Sequence, residues 1–505
     1  MKSISSKFIS AVSWTTLASL VARASGLVVS ILMARFLGSN ALGMYTIVLA
    51  TLGLFATFLN FGLGLTASKV VAQYYMKDPE KVGRVISLLF LTLVVAIFFG
   101  ALIYWNLLPY ISNHIYKIPK LFPVLKLSLL WLIIMCVNQL FESILAGLQG
   151  FKLLMLTNSI LSLLNLPLIL LAFYLGGSNV LSALVVVGTL TAILQLVLLL
   201  FVVCLEAKKY GIVLSFQQLK PLIRPVLFDF SVPAFIGKVM EQPLSWVAIL
   251  LLVKLSGSIS YVGGLTVITN IRTWLLYLPT MLVSVLIPLF TDIYHTRDIS
   301  DFRRTLVFNQ RFLWFTTFPF VVFALAIIRP MIELFFGKSY EMFWLSGAIF
   351  LIWTILLPIN EVNDRAMVAM GKMWLSLSFR IIYLVLLIIG LLTLIPKYHL
   401  EGYVIGWGIS YFIYVSIQTF WLKQVTQEKL SSMLIPSTFS IFFLAVAFSI
   451  ASFATVSKSI LYASILFFVV LVIEWLWLLT VEEKKLLFTQ YEKILNNLKI
   501  SISKE

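Results

Sequence analysis

The sequence predicts an all-α polytopic membrane protein with about fourteen transmembrane helices, arranged as two six-helix lobes plus two C-terminal helices. Three observations carry this expectation. Long apolar runs fill almost the whole chain. The charged residues, 11% of the total against 61% hydrophobic, fall in the short gaps between those runs. Mean hydropathy is +1.05 over 505 residues, far outside the range of soluble domains.

The hydrocarbon core of a bilayer is about 30 Å thick, so a span needs roughly 20 apolar residues. Charges, prolines and glycines divide the runs into spans at 9–37, 40–62, 84–108, 125–148, 152–175, 179–205 and 226–253, then 260–290, 307–328, 341–360, 373–395, 402–422, 433–455 and 459–480. The first is far longer than a signal-peptide apolar region and meets no small-residue cleavage site before the second, so it is expected to be retained. The tenth is the least regular, because Asn360, Glu361, Asn363, Asp364 and Arg365 interrupt it.

Lys and Arg are retained on the cytoplasmic side during insertion. With the N-terminus inside, 24 of them fall in cytoplasmic gaps and 8 outside, which places both termini in the cytoplasm. The net charge of +17 is then a consequence of topology and of attraction to anionic headgroups, and makes no case for nucleic acid. Cys136 and Cys204 lie in different spans, where a disulfide is not expected.

The long hydrophilic connection from residue 206 to residue 224 separates six spans from the rest. The expected organisation is an N-terminal lobe at 1–210, a cytoplasmic linker at 211–224, a C-terminal lobe at 225–425, two further spans at 426–481 and an amphipathic tail at 482–505. Leu487, Tyr491, Ile494 and Leu498 would give that tail an apolar face for the inner leaflet. Self-comparison supports two copies. Arg35-Phe-Leu-Gly38-Ser39 ahead of Gly43 matches Lys254-Leu-Ser-Gly257-Ser258 ahead of Gly263, and Ala146-Gly-Leu-Gln-Gly150 matches Met367-Val-Ala-Met-Gly371, both displaced by about 220 residues. An even number of spans per copy makes the repeat parallel, as in transporters that rock two bundles about a central site.

Charges inside spans cost about 2.5–3.5 kcal/mol each on insertion scales and usually face a cavity or a partner. Arg23 aligns at helical spacing with Thr16, Ser19, Gly26 and Ser30. The second span sets Thr46, Ala50, Gly53, Thr57 and Asn60 in a small and polar stripe, suited equally to helix packing. The fourth carries Asn138, Gln139, Glu142 and Gln149, and the seventh carries Ser231, Lys238, Glu241, Gln242 and Ser245. Lys238 and Glu241 are also spaced to pair with each other. Arg272, mid-span in the eighth, has no acidic neighbour within a turn, whereas Arg380 lies near enough to the end of the eleventh to snorkel.

Enzymatic signals are poor. His114, His295 and His399 fall in separate loops, and no His, Cys or carboxylate spacing suggests a metal site. Gly337-Lys338-Ser339 lacks the earlier glycine of a phosphate loop, since Ile332 stands there. No cofactor is expected.

Ala34-Arg-Phe-Leu-Gly-Ser-Asn-Ala-Leu-Gly-Met-Tyr45 closely resembles the start-of-domain signature of the polysaccharide biosynthesis exporters, the Wzx-type flippases of the MOP superfamily. Gly147-Leu-Gln-Gly-Phe-Lys152 and Ile332-Glu-Leu-Phe-Phe-Gly-Lys-Ser-Tyr340 resemble the same family. The resemblance implies two six-helix lobes with two extra helices, and movement of a polyprenyl-diphosphate-linked oligosaccharide between leaflets, with glycan polymerase or ligase machinery as possible partners. Arg23, Lys238 and Arg272 suit an anionic diphosphate through charge-assisted hydrogen bonds, with Asn60, Asn138, Glu142, Glu241, Gln242 and Arg380 as possible cavity-lining residues. Arginine in the first and eighth spans is similar to the lipid II flippase branch, which makes a peptidoglycan precursor the nearest alternative cargo. A cation-coupled multidrug exporter would instead use acidic groups, for which Glu142, Glu241 and Asp229 are available. A non-transporting membrane scaffold has no use for buried cations.

Overall fold

The computed structural model describes residues 2–232, 235, 242–283, 286–296, 298–426, 437–477 and 484, with the side chains of 2–21 outside the description. The expected amphipathic tail, with Leu487, Tyr491, Ile494 and Leu498, lies outside the described residues. So do Lys238 and Glu241, and the side chain of Asp229. Among the described residues the structure is helical with no strand, as lipid requires when every backbone polar group must be satisfied within its own segment. Eight helical stretches are long and apolar enough to cross a membrane, and two shorter apolar helices accompany them. The protein is a multi-pass membrane protein.

Two compact units divide the chain, 1–266 and 267–505. The first contains α1 (Lys2–Asn60), α2 (Leu63–Tyr74), α3 (Pro79–Tyr110), α4 (Leu121–Gly147), α5 (Phe151–Gly176), α6 (Val180–Lys209), α7 (Gln242–Ser256) and the first part of α8 (Ser260–Leu275). Gly38, at φ 69° and ψ 173°, breaks α1 into the first two spans. Asp78 caps α3 by accepting from the Lys81 N–H at 2.9 Å, with Pro79 in the first turn where its missing N–H costs nothing. α4 packs on α6 and α2, and α5 on α1 and α6.

The boundary between the two units falls inside α8, and packing within the first unit gives the reason. α7 lies against α1, where the Trp246 indole donates to Thr51 Oγ1 at 3.2 Å. The start of α8 meets α1 through small residues. A side chain on Gly43 would strike Ile259, and one on Gly263 would strike the Ser39 backbone. The hydroxyls of Thr46 and Thr266 lie 2.8 Å apart and 220 residues apart in sequence. That separation equals the repeat displacement, so equivalent positions of the two copies touch each other.

The second unit contains the rest of α8, α9 (Tyr277–Val283), α10 (Leu286–Thr296), α11 (Ile299–Ala326), α12 (Ile328–Phe336), α13 (Trp344–Thr354), α14 (Leu356–Ala369), α15 (Met373–Thr426), α16 (Ser437–Phe453) and α17 (Val456–Trp477). Its core sets Phe290 of α10 against Phe302 and Leu306 of α11 and Val362, Ala366 and Met367 of α14, all fully buried. α16 and α17 pack on α11. α15 folds back on itself at His399, and the glycines Gly390 and Gly406 then meet backbone to backbone.

The fourteen expected spans all carry helix, with three corrections. The eighth is a succession of α8, α9 and α10 in place of one run. The tenth continues through its charged residues to Ala369 as α13 and α14, because Arg365 pairs with Glu361 at 3.1 Å and Arg380 with Asp364 at 3.4 Å. The short helices α2 and α12 were not expected as separate elements.

The repeat extends to the turns. Positive φ occurs at Gly38 and Gly257, at Lys117 and Gly337, at Gln149 and Gly371, and at Gly177 and His399, each pair separated by about 220 residues. Gly177 at (45°, −123°) and His399 at (49°, −118°) share nearly one conformation. α2, which follows the second span, has its counterpart about 220 residues on in α10.

Two measurements check this packing. In a protein cleared of Cys136 and Cys204, Thr46→Cys with Thr266→Cys should form a disulfide under mild oxidant, read as a mobility shift that reductant reverses. Gly390→Leu should lower thermal stability in detergent by about 1–3 kcal/mol, since a Cβ there already lies 3.2 Å from Gly406 Cα. The same change at Gly177, with nothing within 4 Å, strains only the backbone.

Candidate functional site

The first unit holds a cavity of about 540 Å³ lined by Gly53, Ala56, Thr57 and Asn60 of α1, Gly62 and Gly64 beyond it, Met135, Gln139, Glu142 and Ser143 of α4, and Gln242 of α7. The second-span stripe therefore does two things. Its earlier part, at Thr46, packs, and its later part, at Gly53, Thr57 and Asn60, borders open space. A Cβ at position 53 would lie 3.3 Å from the Gln242 amide oxygen, so a larger residue there would press on that side chain.

The polar groups around this cavity are held in order. Asn60 Nδ2 donates to Gln139 Oε1 at 2.7 Å and to its own helix at the Ala56 carbonyl. Glu142 accepts from Gln195 Nε2 at 2.8 Å, and Gln195 Oε1 accepts from Asn138 Nδ2 at 3.1 Å. Asn138 also donates to the Ala192 carbonyl. The structure thus brings Asn60, Glu142 and Gln242 to one cavity and turns Asn138 away from it, into α6. Glu142 is the charged residue among the described lining. Arg23 is exposed on α1, close in sequence to Ser25, which is buried and donates to the Ser162 carbonyl.

The second unit places Arg272 among rings. Its guanidinium carbon lies 4.3 Å from the Phe350 ring centre and 5.1 Å from that of Trp407. Trp407 stacks on Tyr411 at 4.9 Å, and Tyr411 meets Tyr383 and Tyr414. Aromatic faces stabilise a cation by about 0.5–2 kcal/mol without neutralising it. Among the described residues no carboxylate forms an ion pair with Arg272.

Beside this box, Asp364 of α14 gathers donors from α15. Gln418 Nε2 reaches it at 2.7 Å, Ser376 Oγ at 3.1 Å, and Tyr414 and Arg380 at 3.4 Å. On the adjoining face of α14, Gln310 donates to Asn363 Oδ1 at 2.7 Å, and Asn363 donates to Thr419 at 3.0 Å. Arg380 is therefore a partner of Asp364, beyond the snorkelling its sequence position suggested. Sequence reasoning missed Asp364 as an organising group. Its signal was the i, i+3, i+4 run of Glu361, Asp364 and Arg365 inside an apolar segment.

Asp364→Ala should lower thermal stability by about 1–3 kcal/mol, because it leaves several buried donors without their acceptor, and Asp364→Asn should cost less. Thermal unfolding of the purified protein checks both.

The model for the polysaccharide biosynthesis protein family matches residues 8–294. Comparison with curated proteins gives no sequence match. Among solved structures the fold is similar to the lipid II flippase MurJ in an inward closed conformation, with TM-score 0.69 and 16% identity over 91% of this chain and 97% of that one. It is similar also to an inward-facing multidrug resistance MATE family transporter of the MOP superfamily, with TM-score 0.62 and 16% identity over 81% of this chain and 94% of that one. A MATE transporter of Vibrio cholerae gives TM-score 0.60 and 15% identity over 85% and 99%. These neighbours are transporters and a flippase, not catalysts. The chain is a member of the polysaccharide biosynthesis protein family, with the fold of the MOP superfamily.

Proposed function

We propose that this protein is a flippase that moves a polyprenyl-diphosphate-linked oligosaccharide, or a related anionic glycolipid, across the cytoplasmic membrane for cell-surface glycan assembly. The observation that carries the reading is Arg272, a guanidinium on α8 within the expected eighth span, set among aromatic rings with no carboxylate ion pair among the described residues. Such a cation is costly in hydrocarbon, and an anionic headgroup lowers that cost. Arginine can donate two parallel hydrogen bonds to a diphosphate, which a lysine cannot. Arg23 and Lys238 are proposed to serve the same cargo along its path. The isoprenoid tail stays in lipid while the headgroup crosses, by alternating access of lobes 1–210 and 225–425, without a nucleotide or a covalent intermediate. Family membership supports a polysaccharide-precursor cargo over lipid II, the cargo for which one structural neighbour is named.

A second reading is favoured by one observation. Glu142, held by Gln195 at the cavity of the first unit, is the kind of group that a cation exporter uses. The two readings differ in the sign of the essential charge. Arg272→Glu should reduce glycolipid export at least tenfold while the variant inserts at the normal level, and Arg272→Lys should retain part of it. Normal export by Arg272→Glu, with Glu142→Gln abolishing efflux of a cationic dye, would favour the exporter. The proposed orientation has its own check. Single cysteines placed at positions 3 and 503 should react with a membrane-impermeant maleimide only after the cells are opened.

A further inference from the structure

We propose that a second pocket in the first unit, distinct from the cavity at Glu142, binds a phosphate-bearing lipid headgroup. The pocket encloses about 500 Å³ and is lined by Ile115, Tyr116, Lys117 and Ile118 of the turn after α3, and by Val253, Lys254, Gly257 and Ile259 at the end of α7 and the turn that follows. That volume suits a small-molecule headgroup and falls short of a whole oligosaccharide.

Its charge is of one sign. Lys117 and Lys254 come from segments more than a hundred residues apart, and neither forms an ion pair among the described residues. No Asp or Glu occurs between Glu80 and Glu142, or between Glu241 and Asp292, so the chain on either side supplies no neutralising carboxylate. Lys117 sits at φ 57°, a conformation that non-glycine residues adopt at a cost, and it forms the reversal that opens the pocket. The sixteen-residue helix α8 starts immediately after Ile259, so its positive dipole end lies at the pocket's edge.

A further observation points to a ligand. Tyr116 is only 4% exposed, and its buried hydroxyl has no hydrogen-bond partner among the described residues. A phenol O–H left unmade in a buried place is unfavourable, and a phosphate oxygen in the pocket it lines would accept from it. The remaining walls, Ile115, Ile118, Val253 and Ile259, are apolar. Two lysines, a phenol and a helix N-terminus over an apolar wall match a phosphate attached to a lipid, and fit a free sugar or a cation poorly.

The pocket belongs to the face that carries the turns at Gly38 and Gly257, which the proposed orientation places outside; that placement rests on the flippase reading, while the anion site does not. Two sources share the chemistry, a bilayer phospholipid and the diphosphate of a delivered cargo. Ile259 also presses on Gly43, so an occupant would touch an element of the α1 and α8 contact.

The test is calorimetric titration of the purified full chain in neutral detergent with geranyl diphosphate and with dihexanoyl phosphatidylglycerol, using dihexanoyl phosphatidylcholine as the zwitterionic control. Titrations in Arg272→Ala remove any contribution from that arginine. In that background a saturable anionic component should remain, should weaken at least tenfold in Lys117→Gln with Lys254→Gln, and should weaken severalfold in Tyr116→Phe. Lys120→Gln, a loop lysine outside the lining, should bind as the parent does. Tighter binding of geranyl diphosphate would identify the cargo as the source, and equal or tighter binding of phosphatidylglycerol would identify the bilayer. The proposal is overturned if the Arg272→Ala protein shows no saturable binding at millimolar ligand, if the double lysine variant binds as tightly as its parent, or if Lys120→Gln weakens binding equally. Export by the Arg272 variants is read separately, so failure of the flippase reading leaves this outcome intact.

Discussion

The cost of placing charge and unsatisfied polar groups in hydrocarbon organises this molecule. It confines most Lys and Arg to the gaps between spans, and it favours matching or using a charge that remains within a span. The structure displays both solutions. Asp364 and Arg380, and Glu361 and Arg365, pair within α14 and α15, and Asp364 is further enclosed by Gln418, Ser376 and Tyr414. Arg272 is only boxed by rings, which lower its cost without removing its charge. That difference, between paired carboxylates and an unneutralised cation beside them, is what the proposed function draws on.

A second constraint is the duplication. Matching short strings displaced by about 220 residues are weak on sequence grounds, but the same displacement recurs in backbone conformation at four turns. At three of them the glycine of one copy is replaced by a side chain in the other, Lys117 against Gly337, Gln149 against Gly371 and His399 against Gly177. Positive φ is therefore a property of the turn itself, retained where the residue no longer favours it. The touching hydroxyls of Thr46 and Thr266 mark where equivalent positions of the two copies come together.

Most of the fold was legible because hydropathy reports on the same quantity that lipid selects. The spans were recovered on that basis, and the stripe of Gly53, Thr57 and Asn60 was recovered by helical spacing. α2 and α12 escaped because twelve and nine residues are too short to register as spans. The tenth span was cut short at Asn360 because its charges look prohibitive one by one and are tolerable only when paired. The link of Asp364 to Gln418 spans 54 residues, and no local pattern encodes it. The aromatic box was hidden for a different reason: Phe350, Trp407 and Tyr411 sit in apolar runs where rings are ordinary. Asn138 shared a stripe with Glu142 and shares its partner Gln195, yet it also bonds the Ala192 carbonyl and stays out of the cavity.

The central claim is that the essential charge is positive because the cargo is an anionic glycolipid that must change leaflets. Lipid analysis of a strain lacking this protein tests it most directly. The account predicts that a polyprenyl-linked sugar accumulates on the inner leaflet while the surface glycan is depleted. Unchanged glycolipids together with new sensitivity to cationic dyes would contradict it and identify a drug exporter.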